Sequence, residues 1–175
     1  MKTIFQLLLL SIFFMACNTK QKQSEPEDSF LPMQIGNYWK IDSQNYTEIQ
    51  DTVRLDGKLY YKFYALVGGD GVAITYLRID EHNRLVESWP AANGKEYIRA
   101  QFNSKLGDSF FTLSDQSSND YKVTVIEKTD KQMIFSLDRV HHDYLNEEPY
   151  KVTYVKGVGL QDRWKSIKIN GKIIK

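Results

Sequence analysis

Residue types that commonly carry chemistry are sparse in this 175-residue chain, which has three histidines and one cysteine. One stretch collects residue types that bind metals, namely Asp138, His141, His142 and Asp143. Adjacent histidines on a strand point to opposite faces, and a ligand spacing such as H-E-x-x-H does not occur. The sequence therefore predicts no metal site and no cofactor.

Motifs of the common enzyme classes do not occur either. The chain has no G-x-S-x-G nucleophile elbow, no phosphate-binding Gly-Lys-Ser/Thr loop and no dinucleotide fingerprint. The run 68–71, Gly-Gly-Asp-Gly, lacks the further acidic positions of a calcium loop and is typical of a hairpin tip. Carboxylates are numerous, but no two of them stand out as a general acid and base. We expect a protein that is not an enzyme, and we assign no catalytic residue.

The single cysteine ends an N-terminal apolar stretch. Lys2 supplies a positive start, and residues 4–16 are apolar except for Gln6 and Ser11. Such a stretch is too short to span a membrane and suits the core of a secretory signal peptide. The pair Ala16-Cys17 resembles the lipobox of bacterial lipoproteins, where signal peptidase II cuts before a cysteine that carries acyl chains such as palmitate. We therefore predict a signal peptide over 1–16 and lipid attachment at Cys17.

Lipidation also gives the lone thiol a role, because an exported chain with one cysteine cannot form an internal disulfide. Residues 17–29 comprise the lipidated cysteine and a polar, flexible tether, and residues 30–175 form one domain. Acyl chains anchor a protein without spanning the bilayer. The expected location is the cell envelope, lipid-anchored at the outer membrane, on a face that the sequence leaves open.

The charge balance and the aromatic content point to different partners. Lys and Arg number 23 against 22 Asp and Glu, so the chain lacks the basic surface that non-specific nucleic-acid binding requires. The chain has 11 Tyr, 9 Phe and 3 Trp, a high content that leaves two roles open. Trp39, Trp89 and Trp164 are candidate ligand-binding residues that could stack on sugars or line an apolar pocket, or they fill the core of a sheet. Trp89, beside Pro90, is expected to be the most exposed.

The elements that must position these residues read as strands. Apolar and polar residues alternate with a period of two along several runs, which are 59–66, 121–125, 133–138 and 150–154. Asp56-Gly57, Asn93-Gly94 and Asn170-Gly171 are two-residue hairpin signals. The sequence predicts an all-β domain of about ten antiparallel strands, arranged as one strongly curled sheet or as an open barrel or sandwich.

A weak internal similarity indicates two related halves. Residues 34–41 and 105–112 each carry an apolar residue, a glycine, then Asn or Asp, followed by an aromatic residue. Each segment precedes a strand, a turn and a second strand in the same order. Duplicated halves of one sheet or barrel would explain the similarity, and so would coincidence between strand starts.

Three short motifs resemble those of Bacteroidetes-type cell-envelope lipoproteins. These are the opening Phe30–Ile41 (F-P-L-x-x-G-N-x-W-x-Y in the family), the central Leu106–Phe110 (v-G-D-s-W) and the closing Tyr154–Leu160 (Y-a-k-G-V-G-L-v). The resemblance implies an all-β domain on a membrane-anchored lipoprotein and carries over no catalytic residues. We interpret the glycines of these motifs as structural, because they suit turns, bulges and close backbone crossings; they are Gly36, Gly107, Gly157 and Gly159.

Three functions stay open. The first is a non-enzymatic binding or scaffold domain, the second a carrier of lipid or acyl chains in an open β-barrel, and the third a glycan-active hydrolase. The expected partners are the membrane, through acylated Cys17, and an apolar ligand, a glycan or an envelope protein, but not nucleic acid. A deep apolar cavity would favour the carrier, whereas a filled core would favour the scaffold.

Overall fold

A computed structural model describes residues 29–142 and 148–175, and these ranges contain strands but no helix. Accordingly, no helix capable of crossing a membrane is found in the described part of the chain. The strands are β1 Tyr38–Lys40, β2 Tyr46–Leu55, β3 Lys58–Val67, β4 Gly71–Ile79, β5 Arg84–Ser88, β6 Tyr97–Gln101, β7 Ser109–Phe111, β8 Lys122–Lys128, β9 Gln132–Asp138, β10 Tyr150–Val155, β11 Gly159–Leu160, β12 Ser166–Ile169 and β13 Lys172–Ile173. The all-β prediction is confirmed, and the strands beyond the expected ten include the two-residue elements β11 and β13.

The strands form two antiparallel sheets. The large sheet has the order β13-β12-β1-β2-β3-β4-β5-β6, and the small sheet has the order β11-β10-β9-β8-β7. Consecutive strands lie side by side through most of both sheets, as expected for hairpins joined by short turns. The exception is β12, which pairs with β1 and so joins the end of the domain to its beginning.

One core lies between the two sheets. Strand β9 shows how the sequence builds it, because its residues alternate strictly between buried and half-buried positions. Phe102, just after β6 of the large sheet, packs against the small sheet: its ring centre lies 6.4 Å from that of Phe135 and 5.3 Å from that of Tyr154. Phe30 stacks on the same ring at 5.2 Å. We call the face of each sheet that borders this core its inner face.

The two segments with similar sequence have the same local geometry. The Gly36 amide donates to Ile49 O at 2.8 Å, and the Ile49 amide donates to Asn37 O at 2.9 Å. In the second half, the Gly107 amide donates to Val125 O at 2.9 Å, and the Val125 amide donates back to residue 108 at 3.0 Å. A β-bulge follows directly after Ile49 and after Val125. Strands β1–β5 and β7–β11 thus begin alike and follow the same meander.

The side chain of Asn37 links the two ends of the domain. It is 1% exposed, its Nδ2 donates to Pro32 O at 3.1 Å, and its Oδ1 accepts from the Asn170 amide at 2.8 Å. Asn170 and Gly171 form the turn between β12 and β13, as their sequence predicts. The buried amide therefore contributes to holding the C-terminal hairpin beside β1, since a buried polar group requires such partners.

The turns follow the predicted positions with one difference. Asp56-Gly57 joins β2 to β3, and the run 68–70 joins β3 to β4, as expected. Asn93-Gly94 does not form a two-residue hairpin, because β5 ends at Ser88 and β6 begins only at Tyr97. The connection 89–96 is instead a longer loop, and the Gly94 amide donates to Asp56 Oδ2 at 2.9 Å.

The closing motif forms a hairpin rather than one extended chain. Gly157 and Gly159 have φ angles of +72° and +103° at the turn from β10 to β11. The Gly157 amide donates to Ser29 O at 2.8 Å. A Cβ at Gly159 would stand 2.9 Å from Leu31 Cδ1 and 3.3 Å from the Trp39 ring. Both glycines therefore contact the opening segment, Gly157 through Ser29 and Gly159 through Leu31 and Trp39.

Candidate functional site

A group of tyrosine and arginine side chains occupies one end of the space between the sheets. We call this group the tyrosine mouth. Its members are Glu87, Tyr97 and Arg99 of the large sheet, and Tyr121, Arg139 and Tyr150 of the small sheet. Here the side chains bordering the core change from aliphatic and phenyl groups to phenol, guanidinium and carboxylate groups.

The large sheet contributes one side of the tyrosine mouth through β5 and β6. Glu87 lies directly opposite Tyr97 in the antiparallel register, so both side chains point to the same face of the sheet. A bulge places Arg99 beside this pair, since Leu85 pairs with Ala100 and the next pairing skips one residue. The Arg99 Nε donates to Glu87 Oε2 at 2.5 Å, and the guanidinium lies 5.7 Å from the Tyr97 ring centre.

The small sheet contributes the opposite side. Tyr121 precedes β8 and Arg139 follows β9, each two residues beyond a buried inner-face residue, Val123 or Leu137. Strand alternation therefore directs both side chains to the inner face. The Arg139 Nε donates to Tyr121 Oη at 2.9 Å, with the guanidinium 5.1 Å from the ring centre. Tyr150 places its ring edge-on to Tyr121 at 5.8 Å.

Electrostatic interactions connect the two sides. Tyr97 interacts with Tyr121 across the sheets, and Tyr150 interacts with both Arg99 and Arg139. Burial raises the pKa of Tyr97 and of Tyr150 above the usual value of a tyrosine, so both phenols stay neutral and able to donate to well above neutral pH. Tyr150 is nevertheless 49% exposed, so the group is reachable from solvent. The tyrosine mouth thus offers ring faces, neutral hydroxyl groups and two guanidinium groups to a ligand.

The loop between β7 and β8, which has buried residues at both of its ends, supports the edge of the tyrosine mouth. The Ile98 amide of β6 donates to Thr112 O at 2.9 Å, which ties the large sheet to the residue that follows β7. Thr112 is fully buried, and its hydroxyl donates to Asp120 Oδ1 at 3.2 Å. The loop between β7 and β8 therefore positions the strand that carries Tyr97.

A second polar cluster lies on the outer face of the large sheet. The Glu96 Oε1 atom accepts hydrogen bonds from Lys58 Nζ at 2.8 Å, Tyr60 Oη at 2.7 Å and Arg78 Nη2 at 2.8 Å. Although burial alone raises the pKa of Glu96, these three donors lower it to about 2. Tyr60 is 1% exposed, and Glu96 ends the loop between β5 and β6. This cluster fastens that loop to the sheet.

The three tryptophans occupy three different environments. Trp39 is 3% exposed; its ring stacks on Phe63 at 6.1 Å, and its Nε1 donates to Val158 O at 2.7 Å. Trp164 packs against the core, with Nε1 donating to Leu160 O at 2.8 Å. Trp89 is 41% exposed, as its position before Pro90 suggested. The structure does not bring the three together, and none belongs to the tyrosine mouth.

The histidine stretch gives no metal cluster among the described residues. The His141 ring stacks on Phe111 at 5.5 Å with an interplanar angle of 27°. Asp143, the fourth member of the stretch, lies outside the described residues, as does most of the remaining loop before Pro149. The imidazole of His141 is thus engaged in ring packing beside β7.

The tyrosine mouth is not among the sites that the sequence predicts. One side of it could have been predicted, because Tyr121 and Arg139 continue the alternation of inner-face positions beyond β8 and β9 and are polar. The contribution of β6 has no such signal, since the position of Arg99 depends on a bulge.

Comparison of the chain with protein families, curated proteins and solved structures gives no match. The side chains of the tyrosine mouth and the surfaces around it are therefore the basis for inferring a function.

Proposed function

We propose that the chain is a lipid-anchored cell-envelope protein whose β domain binds an acidic glycan at the tyrosine mouth without converting it. The observation that carries this proposal is the convergence of phenol rings and guanidinium groups from both sheets on one accessible end of the core. The lipid anchor at Cys17 is the part of this proposal that rests on the sequence alone.

The chemistry of the tyrosine mouth suits a ring-shaped ligand that carries hydroxyl and carboxylate groups. Tyrosine rings pack against the apolar faces of sugar rings, and their hydroxyl groups bond to sugar hydroxyls. A guanidinium group has five N–H donors, so Arg99 retains donors after its bond to Glu87. Arginine also recognises carboxylates in a bidentate manner. Arg99 and Arg139 thus place two guanidinium groups at the tyrosine mouth, one from each sheet.

Two features favour binding over the other functions left open by the sequence. A glycan hydrolase needs two carboxyl groups facing each other across the substrate, whereas the described residues of the tyrosine mouth supply Glu87, which is paired with Arg99. An acyl carrier needs an apolar cavity, whereas the space between the sheets holds the packed rings of Phe102, Phe135 and Tyr154. A filled core supports the binding or scaffold role.

Calorimetric titration of the mature lipoprotein in detergent tests the proposal. The probes are tetragalacturonate, which is acidic, and cellotetraose, which is neutral. We expect tighter binding of the acidic probe, and we expect Arg99→Gln to weaken it at least tenfold. The matched control is Arg54→Gln, because Arg54 is exposed on β2 of the same sheet and bonds only locally, to Gly57 O.

The outcomes separate the parts of the proposal. No binding of either probe, or equal losses in both arginine variants, would overturn the assignment of the tyrosine mouth. Shortened oligosaccharides after prolonged incubation would overturn the non-enzymatic role. Thermal unfolding of each variant verifies that the loss of binding is not a loss of fold.

A further inference from the structure

We propose that the outer face of the large sheet lies against the membrane to which the protein is anchored. The surface involved, called the outer platform, crosses four neighbouring strands and consists of Tyr38, Lys40, Tyr46, Tyr64, Leu66, Val72 and Ile74. The inference rests on the proposed lipid anchor at Cys17 and is independent of the tyrosine mouth.

The register of the strands assembles the outer platform. In one row, Lys40 of β1 lies opposite Tyr46, which lies opposite Leu66, which lies opposite Val72. The neighbouring row runs from Tyr38 through Glu48 and Tyr64 to Ile74, in the same strand order. Directly opposed residues share a face, so these side chains form one continuous surface. Trp39, which alternates with Tyr38 and Lys40 on β1, points to the core.

The aliphatic end of the outer platform is exposed and rigidly held. Val72 is 55% exposed and Ile74 is 44% exposed. The tip of the β3–β4 hairpin is fixed to the loop between β1 and β2. The Gly69 amide donates to Gln44 O at 3.0 Å, and the Gly68 amide donates to Asn45 Oδ1 at 2.9 Å. Adjacent aliphatic side chains on a fixed backbone in water indicate an interaction surface.

The side chains change in character across the platform in the order found at a membrane interface. Aliphatic residues lie on β3 and β4, tyrosines on β1, β2 and β3, and a lysine on β1 beside two of the tyrosines. The ring centres of Tyr46 and Tyr64 lie 6.1 Å apart. Lys40 Nζ lies 4.4 Å from the Tyr38 ring centre and 5.3 Å from the Tyr46 ring centre. From β4 to β1 the distance is about 14 Å at the usual strand spacing. A sheet inclined with β4 deepest would place aliphatic groups among acyl chains, phenols at the interface and the ammonium group at the headgroups.

The charge and the tether suit the same occupant. Lys168 of β12 extends the second row beyond Tyr38, so Lys40 and Lys168 outnumber Glu48 and favour an anionic lipid surface. The chain from Cys17 to Ser29 reaches at most about 40 Å when fully extended. Ser29 lies beside Gly157, and Leu31 packs near Gly159 on the core side of β1. The tether therefore has to pass only one sheet, about 10 Å thick, to bring the outer platform to the bilayer.

Quenching of tryptophan fluorescence by brominated acyl chains tests this contact. The full lipidated protein is reconstituted in vesicles of phosphatidylethanolamine and phosphatidylglycerol, with and without bromine on the acyl chains. We expect the tryptophan in Ile74→Trp to add a fluorescence component whose intensity falls at least twofold when the acyl chains carry bromine. The matched control is Leu106→Trp, because Leu106 is 66% exposed but precedes β7 of the small sheet. We expect its added component to be unquenched, with the three native tryptophans as a shared background.

Equal quenching of the two added tryptophans would overturn the membrane contact. A photoreactive residue at position 74 in intact cells gives the second arm: lipid adducts support the proposal, whereas adducts to another protein or to a second copy of this chain overturn it. Mass analysis of the N-terminal peptide reports separately on the anchor. An unacylated Cys17 would refute the anchor on which both proposals draw, whereas an acylated chain with an unquenched position 74 would refute only the membrane contact.

Discussion

At the scale of single residues, Glu96 shows how one carboxylate organises its surroundings. Three donors from β3 and β4 meet its Oε1 atom, and its side chain is only 19% exposed. Without this carboxylate, the three donors would lose their shared acceptor. Removing one partner of such a group leaves the other polar groups without hydrogen bonds, which costs free energy. The pKa of about 2 reflects how strongly the charged form is preferred in the folded state.

Glu96→Gln should lower stability at pH 7 by about 1–2 kcal/mol, a value below the full effect of the pKa shift because the ion pairs are partly solvated. The carboxyl group of the unfolded chain titrates near 4.5 and that of the folded protein near 2, so the unfolded state gains the proton first as the pH falls. Wild-type stability should therefore decline from about pH 5 to pH 2. Denaturant unfolding should show a shallower decline in Glu96→Gln.

The control for this prediction is Glu81→Gln. Glu81 also pairs with Arg78, but at 3.8 Å and with a side chain that is 70% exposed. A decline with pH that is as steep in Glu96→Gln as in Glu81→Gln would contradict the assigned role of Glu96.

Gly159 combines a glycine-type backbone angle with a close approach, so Gly159→Ala should destabilise the domain by about 2–5 kcal/mol. Gly94→Ala isolates the backbone contribution, because Gly94 has a φ of +78° and nothing within 4 Å of its would-be Cβ. That variant should cost about 1–2 kcal/mol. Thermal unfolding of both variants is the measurement, and equal losses would show that the contacts with Leu31 and Trp39 are unimportant.

At the scale of elements, the loop between β7 and β8 is held by one buried carboxylate. Asp120 is fully buried, and its two oxygens accept from the amides of Leu113 at 2.8 Å, Asp115 at 3.0 Å and Gln116 at 3.1 Å. Burial raises the pKa of Asp120, but these amide donors outweigh that effect and lower it. The loop is therefore a defined element that connects the two sheets.

Asp120→Asn should cost about 1–3 kcal/mol, because the amide side chain accepts with only one oxygen and directs an NH₂ group at backbone donors. Hydrogen exchange at the Ile98 amide should accelerate together with the loss of stability, since Thr112 supports that bond. Asp130→Asn, in the exposed β8–β9 turn, should change neither quantity. If the Ile98 amide exchanges equally slowly in Asp120→Asn and in the wild type, then Asp120 does not support the hydrogen bond between the two sheets.

At the scale of the whole molecule, the fold joins two similar meanders and leaves two distinct surfaces. The inner faces share one core that ends in the tyrosine mouth, and the large sheet presents the outer platform to its surroundings. The polar residues 18–28, which we predict to form a tether, lie between Cys17 and this domain in the sequence. The arrangement is consistent with a domain that works close to a bilayer, in agreement with both proposals.

Cys17→Ser should abolish acyl labelling and either release the domain from the membrane fraction or leave an uncleaved precursor. The reason is chemical, because a thioether-linked lipid requires the thiol. Asn18→Ser is the matched control, since it changes the adjacent tether residue and keeps the cysteine. Metabolic labelling with a radioactive fatty acid and fractionation of membranes are the measurements, and normal labelling of Cys17→Ser would reject the lipoprotein assignment.

The sequence by itself determined the all-β class and most hairpin positions. Alternation of residue types and turn chemistry act over a few residues, so the strands β8, β9 and β10 and the turns at Asp56-Gly57 and Asn170-Gly171 could be predicted. The similarity of the two openings was also visible, and the hydrogen bonds at Gly36 and Gly107 share one pattern.

Only the tertiary structure decided how these strands combine. The pairing of β12 with β1, the division into two sheets and the burial of Trp39 depend on contacts between residues far apart in the chain. Local periodicity carries no information on such pairings, because an inner-face position looks the same in one curled sheet as in two packed sheets. The tyrosine mouth likewise arises where a bulge at Arg99 meets strand ends of the other sheet, and neither side identifies the other in sequence.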